Sequence, residues 1–211
     1  MSNTIMLDPQ AIESRSFELI DAEAGTHPFS AQEWPVVRRI VHTTADFEFI
    51  ANTVFAPGVL DSALTAIRAG AKVLCDTNMV AAGVSKPRLQ AFGGSVVCHV
   101  ADADVAGEAK EAGMTRSIIA LRKGVAAGCT IFLIGNAPTA LYELLALAQA
   151  GKVTPALVVG CPVGFVGAAE SKEALFASNL PYIVCRGRKG GSAIAAAIFN
   201  ALTILAHAES A

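Results

Sequence analysis

Short apolar runs alternate with longer stretches of helical spacing along most of this chain. Runs of four to six residues rich in Val and Ile, each bounded by turn residues, predict β-strands at residues 72–75, 95–100, 130–134, 156–160 and 182–185. Strands that alternate with helices form βαβ units around a parallel sheet. The pattern therefore predicts a single α/β domain over residues 1–211, with a mostly parallel sheet covered by helices on both faces.

Several of the intervening stretches carry helix signals. Ser30 followed by Glu33 is a capping box, and it predicts a helix over residues 31–41. Phe17, Leu19 and Ile20 indicate a helix near the N-terminus. Further helices are predicted around residues 60–67, 137–150 and 192–207.

Composition narrows the class of protein. Only 16% of the 211 residues are charged and the net charge is −2, so no basic surface for nucleic acid is expected. So low a charged fraction predicts an oligomer. No apolar stretch approaches the ~20 residues of a membrane span, and residues 1–9 lack the pattern of a secretory signal. Five cysteines without a CxxC pair predict reduced core thiols in a cytoplasmic protein.

Polar and glycine-rich segments follow four of the predicted strands. They begin at Asp76, Gly135, Cys161 and Arg186. In open α/β sheets, ligands bind outside the carboxyl ends of the strands, so these segments predict a binding surface. Ordinary strand-to-helix turns favour the same residue types, and that alternative stays open on composition alone.

Two predicted helix starts, one of them in the segment that begins at Arg186, are suited to binding anions. Residues 187–192 combine Arg188 and Lys189 with glycines at a helix N-terminus, where backbone N–H groups bind a carboxylate or a phosphate. Thr115-Arg116-Ser117 opens a second helix in the same way, although a solvated arginine beside a helix cap explains it equally well. The chain contains neither GxGxxG nor GxxxxGK[ST], so no nucleotide fingerprint accompanies these turns.

His42 directly follows the predicted helix 31–41. A helix C-terminus carries partial negative charge and stabilises imidazolium, which suits a general acid near neutral pH. A surface or capping histidine without a catalytic role fits the same position. No pair of histidines has metal-ligand spacing, so no metal site is expected.

These segments resemble one family over essentially the whole chain, the precorrin-8X methylmutases with their cobalt-precorrin-8 relatives. The matching stretches are residues 16–17, 41–47, 115–117, 135–141, 162–172 (PVGFVGAAESK) and 187–192. The resemblance implies an isomerase of cobalamin biosynthesis that moves a methyl group from C11 to C12 of precorrin-8X or cobalt-precorrin-8. The product would be hydrogenobyrinate or cobyrinate. It also implies a homodimer, no cofactor, and His42 as the proton donor.

The substrate implied by the resemblance is an apolar tetrapyrrole disc rimmed with carboxylates. We expect Arg116 and Arg188 to bind those carboxylates, supported by Ser16, Thr115, Ser117, Gly190, Gly191 and Ser192. A non-catalytic tetrapyrrole carrier is the main alternative, because it would use the same arginines without needing a protonated His42. Two further alternatives are an enzyme with a nucleotide cofactor and a pure interaction module. Titration with nucleotides tests the first, and the second predicts that the cationic turns carry no ligand.

Overall fold

The computed structural model describes residues 8–208, so most of the segment considered above for a secretory signal lies outside the described residues. The helices are α1 Pro9–Ala24, α2 Trp34–Thr44, α3 Glu48–Asn52, α4 Val59–Arg68, α5 Asn78–Gly83, α6 Lys86–Gln90, α7 Val105–Glu111, α8 Arg116–Ala126, α9 Pro138–Gln149, α10 Ala168–Phe176 and α11 Ser192–Ala208. The strands are β1 Thr53–Phe55, β2 Lys72–Cys75, β3 Ser95–Val97, β4 Ile131–Ile134, β5 Leu157–Gly160 and β6 Tyr182–Cys185. No helix between residues 8 and 208 is long and apolar enough to cross a membrane.

The strands form one six-stranded sheet in the order β1-β6-β5-β4-β2-β3. Neighbouring strands from β6 to β3 pair in parallel, and β1 pairs antiparallel with β6 at one edge. The chain runs from β2 outward to β3 and then returns to β4 on the other side of β2. This reversal creates a switch point between β2 and β4, where doubly wound folds leave a crevice for ligands.

Helices cover both faces of the sheet. One face carries α2, α4 and α5 packed around α11, and the other carries α7, α8, α9 and α10. The largest core cluster joins the strands to α11, from Val36 to Ala206. Strands buried on both faces are apolar throughout, and β4, β5 and β6 are buried at every position.

The predicted fold class is confirmed, and all five predicted strands are present, although the strand predicted at residues 95–100 ends at Val97. The capping box is formed, since the Ser30 N–H donates to Glu33 and the Glu33 N–H donates to the Ser30 hydroxyl. The predicted helix bounds were wrong by three residues at each end, because the turn 31–33 precedes Trp34 and the helix continues to Thr44. Strand β1 was not predicted, because three residues carry no periodicity and β6 alone stabilises it.

A buried carboxylate joins the two strands that flank the switch point. Asp76, directly after β2, is only 4% exposed. Its oxygens accept the backbone N–H groups of Gly135 (3.1 Å), Asn136 (2.7 Å) and Ala137 (2.7 Å), which follow β4. Burial raises the pKa of the Asp76 carboxyl, and the three N–H donors oppose that rise. One side chain thus fixes the backbone that starts α9.

Replacing Asp76 by Asn should destabilise the protein by roughly 2–4 kcal/mol, because the amide puts a donor where a backbone N–H needs an acceptor. Urea unfolding of the variant and the wild type measures this difference. Asp61→Asn, at an exposed position in the first turn of α4, is the matched control and should cost less than about 1 kcal/mol. An Asp76→Asn protein as stable as the control would contradict this role.

Candidate active site

The start of α11 lies on the loop that Asp76 holds. The hydroxyls of Thr77 and Ser192 share a hydrogen bond of 3.3 Å. A Cβ on Gly135 would lie 2.9 Å from the Ser192 Cα, so only glycine allows this approach. Ser192, the first residue of α11, therefore lies beside the switch point between β2 and β4.

The glycine-rich turn before α11 packs against the loop that follows β5. The Gly191 N–H donates to the Cys161 carbonyl (2.8 Å), and the Gly164 N–H donates to the Arg188 carbonyl (3.2 Å). A Cβ on Gly190 would lie 2.3 Å from the Cys161 carbonyl oxygen, so this position requires glycine. These contacts place the turn 187–191 at the same edge as Ser192.

The two candidate arginines stand at this edge and are exposed. Arg116 opens α8 and follows Thr115, whose hydroxyl caps the helix by accepting the Ile118 N–H. That hydroxyl also shares a hydrogen bond of 3.1 Å with Thr139, next to the loop after β4. Ser117 is partly buried in the first turn of α8.

Arg188 lies next to an exposed apolar segment. Its guanidinium is 5.6 Å from the centre of the Phe165 ring. Phe165 is 82% exposed and Val166 is 89% exposed, in the loop after β5. Large apolar side chains left in water beside an unburied cation are typical of a surface that binds an amphipathic ligand. The length and apolar character of this loop were visible in the sequence, but the contact with Arg188 was not.

The sequence-based view of Lys189 as a further positive charge for anions was wrong. Its ammonium forms ion pairs with Asp46 (2.5 Å) and Glu48 (2.8 Å), and these carboxylates neutralise it. The Lys189 ammonium holds the pKa of the Asp46 carboxyl below its usual range. Because Asp46 is four residues after His42, this pair brings the end of α2 against the turn 187–191.

His42 is exposed in the last turn of α2. Its ring meets the Phe17 ring edge-on, with 5.2 Å between the centroids. Together with Ala193, it lines a cavity of about 410 Å³ between α1, α2 and α11. Since Ala193 follows Ser192, this cavity reaches the N-terminus of α11. Ser16, the residue before Phe17, donates its hydroxyl hydrogen to the Ile12 carbonyl (2.8 Å).

Charged residues that sequence reasoning missed surround the same cavity. Glu13, Arg39 and Arg88 line it together with His42. Arg39 donates a hydrogen bond to Glu13 at 2.5 Å and holds the pKa of that carboxyl below its usual range. These three residues lie in α1, α2 and α6, far apart in the sequence, and no local motif announces that they meet.

Sequence reasoning treated the five cysteines as reduced core residues: all five are free thiols and four of them are buried, but Cys98, directly after β3, is only partly buried. Cys161 and Cys185 approach to 3.5 Å between their Sγ atoms without a disulfide. Burial raises the pKa of the Cys75 thiol well above its ordinary value. A raised pKa keeps the Cys75 thiol protonated, which disfavours a nucleophilic role for it.

The fold and this edge define a class: an α/β protein in which the switch point of a parallel sheet is suited to an anionic, partly apolar small molecule. Comparison with known proteins gives the family. The sequence model of the precorrin-8X methylmutases matches residues 11–205. This range includes every site residue predicted above.

Curated relatives and a solved structure agree with that match. The cobalt-precorrin-8 methylmutase of Priestia megaterium is 46% identical over 203 residues, covering 96% of this chain and 90% of its own. The precorrin-8X methylmutase of Pseudomonas aeruginosa is 45% identical over 200 residues, covering 92% of this chain and 95% of its own. The crystal structure of a Thermus thermophilus precorrin-8X methylmutase superposes with a TM-score of 0.88 at 45% identity, covering 95% of this chain and 97% of that one.

The chain belongs to the precorrin-8X methylmutase family. Its relatives are methylmutases, which are intramolecular transferases, so the chain is an isomerase of cobalamin biosynthesis. The alternative of a non-catalytic carrier is not favoured by these relationships.

Replacing Gly190 by Ala should displace the turn 187–191, because the added Cβ meets the Cys161 carbonyl oxygen. We expect weaker binding of polycarboxylate ligands by roughly tenfold or more, as a displacement of about 1 Å is costly in a binding site. Isothermal titration calorimetry measures this affinity. Gly107→Ala in α7, where a Cβ meets nothing within 4 Å, is the control and should bind as the wild type does. Equal affinities for the two variants would show that the turn tolerates a side chain.

Proposed function

We propose that this chain moves a methyl group from C11 to C12 of precorrin-8X or cobalt-precorrin-8, giving hydrogenobyrinate or cobyrinate. The observation that carries the proposal is the position of His42, exposed beside the N-terminus of α11 and tied through Asp46 to the turn that bears Arg188. The Pseudomonas aeruginosa and Priestia megaterium relatives are named for the metal-free and the cobalt substrate at almost equal identity. Both substrate forms therefore belong to the proposal.

The chemistry we propose needs one proton and an accurately held ring. Transfer of a proton from the His42 imidazolium to a ring nitrogen makes the conjugated system electron-poor, which lowers the barrier to a [1,5]-sigmatropic methyl shift. After the shift the ring returns the proton to His42, so that the product is an isomer of the substrate. Because the methyl group stays on the substrate, no protein nucleophile, metal or cofactor takes part in this scheme. General acid catalysis contributes typically ~10²–10⁴-fold, or roughly 3–5 kcal/mol.

Carboxylate recognition is assigned to Arg116 and Arg188, with the N-terminus of α11 at Ser192 as a further anion site. Gly190, Gly191, Thr115, Ser117 and Ser16 are proposed as supporting groups around them. The Ser16 hydroxyl already donates to the Ile12 carbonyl, so it would have to rotate to donate to a substrate. The exposed Phe165 and Val166 fit the apolar face of the macrocycle.

Incubation of the purified protein with each substrate form, followed by visible absorption spectroscopy, tests this function. An isomerase should convert at least one form to a product with the spectrum of the corrin acid, catalytically and without added cofactor. A carrier would bind stoichiometrically and return the substrate unchanged. The rates with the two forms identify the preferred substrate.

We further propose a cytoplasmic homodimer in which residues 1–211 of each chain form one domain. Ile12 and Leu19 are exposed and seven residues apart on α1, a helix that buries none of its residues in this chain. An apolar helix face left in water supports association with a second copy. Analytical ultracentrifugation at micromolar concentration should give about twice the chain mass of 21.7 kDa, and a monomer would contradict the proposal.

His42→Ala should abolish most turnover while leaving macrocycle affinity largely intact, because arginines and apolar contacts do the binding. His42→Asn should be nearly as inactive, since an amide keeps a hydrogen bond but has no transferable proton. Single-turnover rates of the wild type and the two variants, measured at one pH, check this. A His42→Asn enzyme within a few-fold of wild type would replace proton donation by an orienting hydrogen bond.

Replacing Arg116 or Arg188 by Ala should weaken substrate binding, by roughly 2–5 kcal/mol where the ion pair is desolvated. Lysine at either position should restore only part of the loss, because it cannot form the bidentate hydrogen bonds of arginine. Equilibrium titration of the substrate measures each affinity. Unchanged affinity in both Ala variants would show that these arginines face solvent.

A further inference from the structure

A buried lysine lies next to the turn 187–191. Lys172 in α10 is 0% exposed. Its Nζ donates a hydrogen bond of 2.7 Å to the backbone carbonyl of Lys189, and it forms no ion pair within the described part of the chain. Burial lowers the pKa of the Lys172 ammonium. Buried lysines are rare because removing the charge from water costs free energy.

The surroundings of Lys172 compensate that cost only in part: the Cys161 and Cys185 thiols and the Glu173 carboxylate, which is paired with Arg186, oppose the lowering of its pKa without cancelling it. Its neighbours include the buried thiols of Cys161 and Cys185, at the ends of β5 and β6. Burial raises the pKa of the Cys161 thiol, whereas the hydrogen bond from Cys161 lowers the pKa of the Cys185 thiol. An apolar side chain of the same length would satisfy the core better, so stability alone does not explain a lysine here.

Lys189, whose backbone carbonyl accepts the hydrogen bond from Lys172, is also bound through its own side chain. The Lys189 backbone is bound to α10 through Lys172, and its side chain reaches Asp46 and Glu48. Asp46 lies in the loop between α2 and α3, four residues after His42. Its side chain also accepts the N–H of Glu48, the first residue of α3, at 2.9 Å. Lys189 therefore joins the sheet-edge turn to the helix end that carries His42.

We propose that Lys172 and Lys189 act as a pair of positioning residues that hold His42 in register with the turn bearing Arg188. Lys172 fixes the position of the turn relative to the ends of β5 and β6. Lys189 binds the end of α2 to that turn. Neither lysine contacts the substrate in this scheme. The inference rests on the proposed function, because register matters only if the ligand at the turn receives its proton from His42.

Lys172→Met and Lys189→Met test the pair separately. Methionine keeps the length of each side chain and removes the charge and the hydrogen-bond donors. Lys172→Met should lower kcat by roughly ten- to a hundredfold, as expected for a misplaced reacting group, while the thermal midpoint stays level or rises. Lys189→Met removes an exposed ion pair and should lower kcat about two- to fivefold with little change in KM. Arg188→Ala, in contrast, should act mainly on KM.

Two controls make the readout specific. Lys152→Met changes an exposed lysine at the opposite end of the sheet and should leave kcat, KM and the midpoint unchanged. The imidazole proton signals of His42 in nuclear magnetic resonance spectra, assigned with His42→Ala, report its surroundings without substrate. They should shift in Lys189→Met and Asp46→Asn, the latter keeping the shape of the side chain, and stay in place in Lys152→Met.

Either of two results would overturn the proposal. One is a Lys172→Met protein with wild-type kcat and KM. The other is a combination of two findings. The Lys172→Met protein unfolds at a lower temperature than the wild type, and the Lys189→Met protein keeps both the wild-type kcat and unshifted His42 signals. Wild-type protein that converts neither substrate would instead contradict the proposed function, while the His42 signals would still report on the positioning role.

Discussion

The Asp76 carboxylate is the interaction on which the site depends. Asp76 directly follows β2, and its side chain accepts hydrogen bonds from three backbone N–H groups that follow β4. It thereby links the two strands on either side of the switch point. With Gly135 held there, Ser192 packs directly upon it, and α11 starts where a ligand would lie. The glycine-rich turn before α11 is then in contact with the loop after β5. Without that carboxylate, the buried N–H groups of Gly135 and Ala137 would lose their acceptors.

The distribution of charge explains which cations remain for a ligand. Lys189 and Arg39 are engaged with carboxylates of the chain, whereas Arg116 and Arg188 extend from the sheet edge into solvent. In the cavity beside His42, Arg39 and Arg88 face only one carboxylate, that of Glu13. The cavity beside the proposed proton donor thus has an excess of positive charge, and the exposed Phe165 lies beside Arg188. Both features fit a substrate that is apolar at its centre and anionic at its rim.

Much of the fold followed from local pattern, because buried parallel strands are continuous apolar runs and the Ser30–Glu33 box is a local hydrogen-bonding unit. The turns that we propose to bind anions could also be located from the sequence, since the strand ends in this fold class converge at one edge of the sheet. What local sequence could not show were pairings between distant segments: β1 with β6, Asp76 with the loop after β4, and Lys189 with Asp46. Lys189 was misjudged for that reason, as its neutralising partner lies 143 residues away. The neighbours of His42 come together only through the packing of α1, α2 and α6.

The central claim is that this chain catalyses an intramolecular methyl shift. A crossover experiment tests it most directly: one substrate sample carries carbon-13 in the C11 methyl group, a second carries a heavy isotope elsewhere in the ring, and both are converted together. An intramolecular shift predicts that the carbon-13 signal moves from the C11 to the C12 environment. It also predicts that each product molecule retains the isotopes of one parent molecule. Products that combine labels from both parents, or a label that stays at C11, would contradict it.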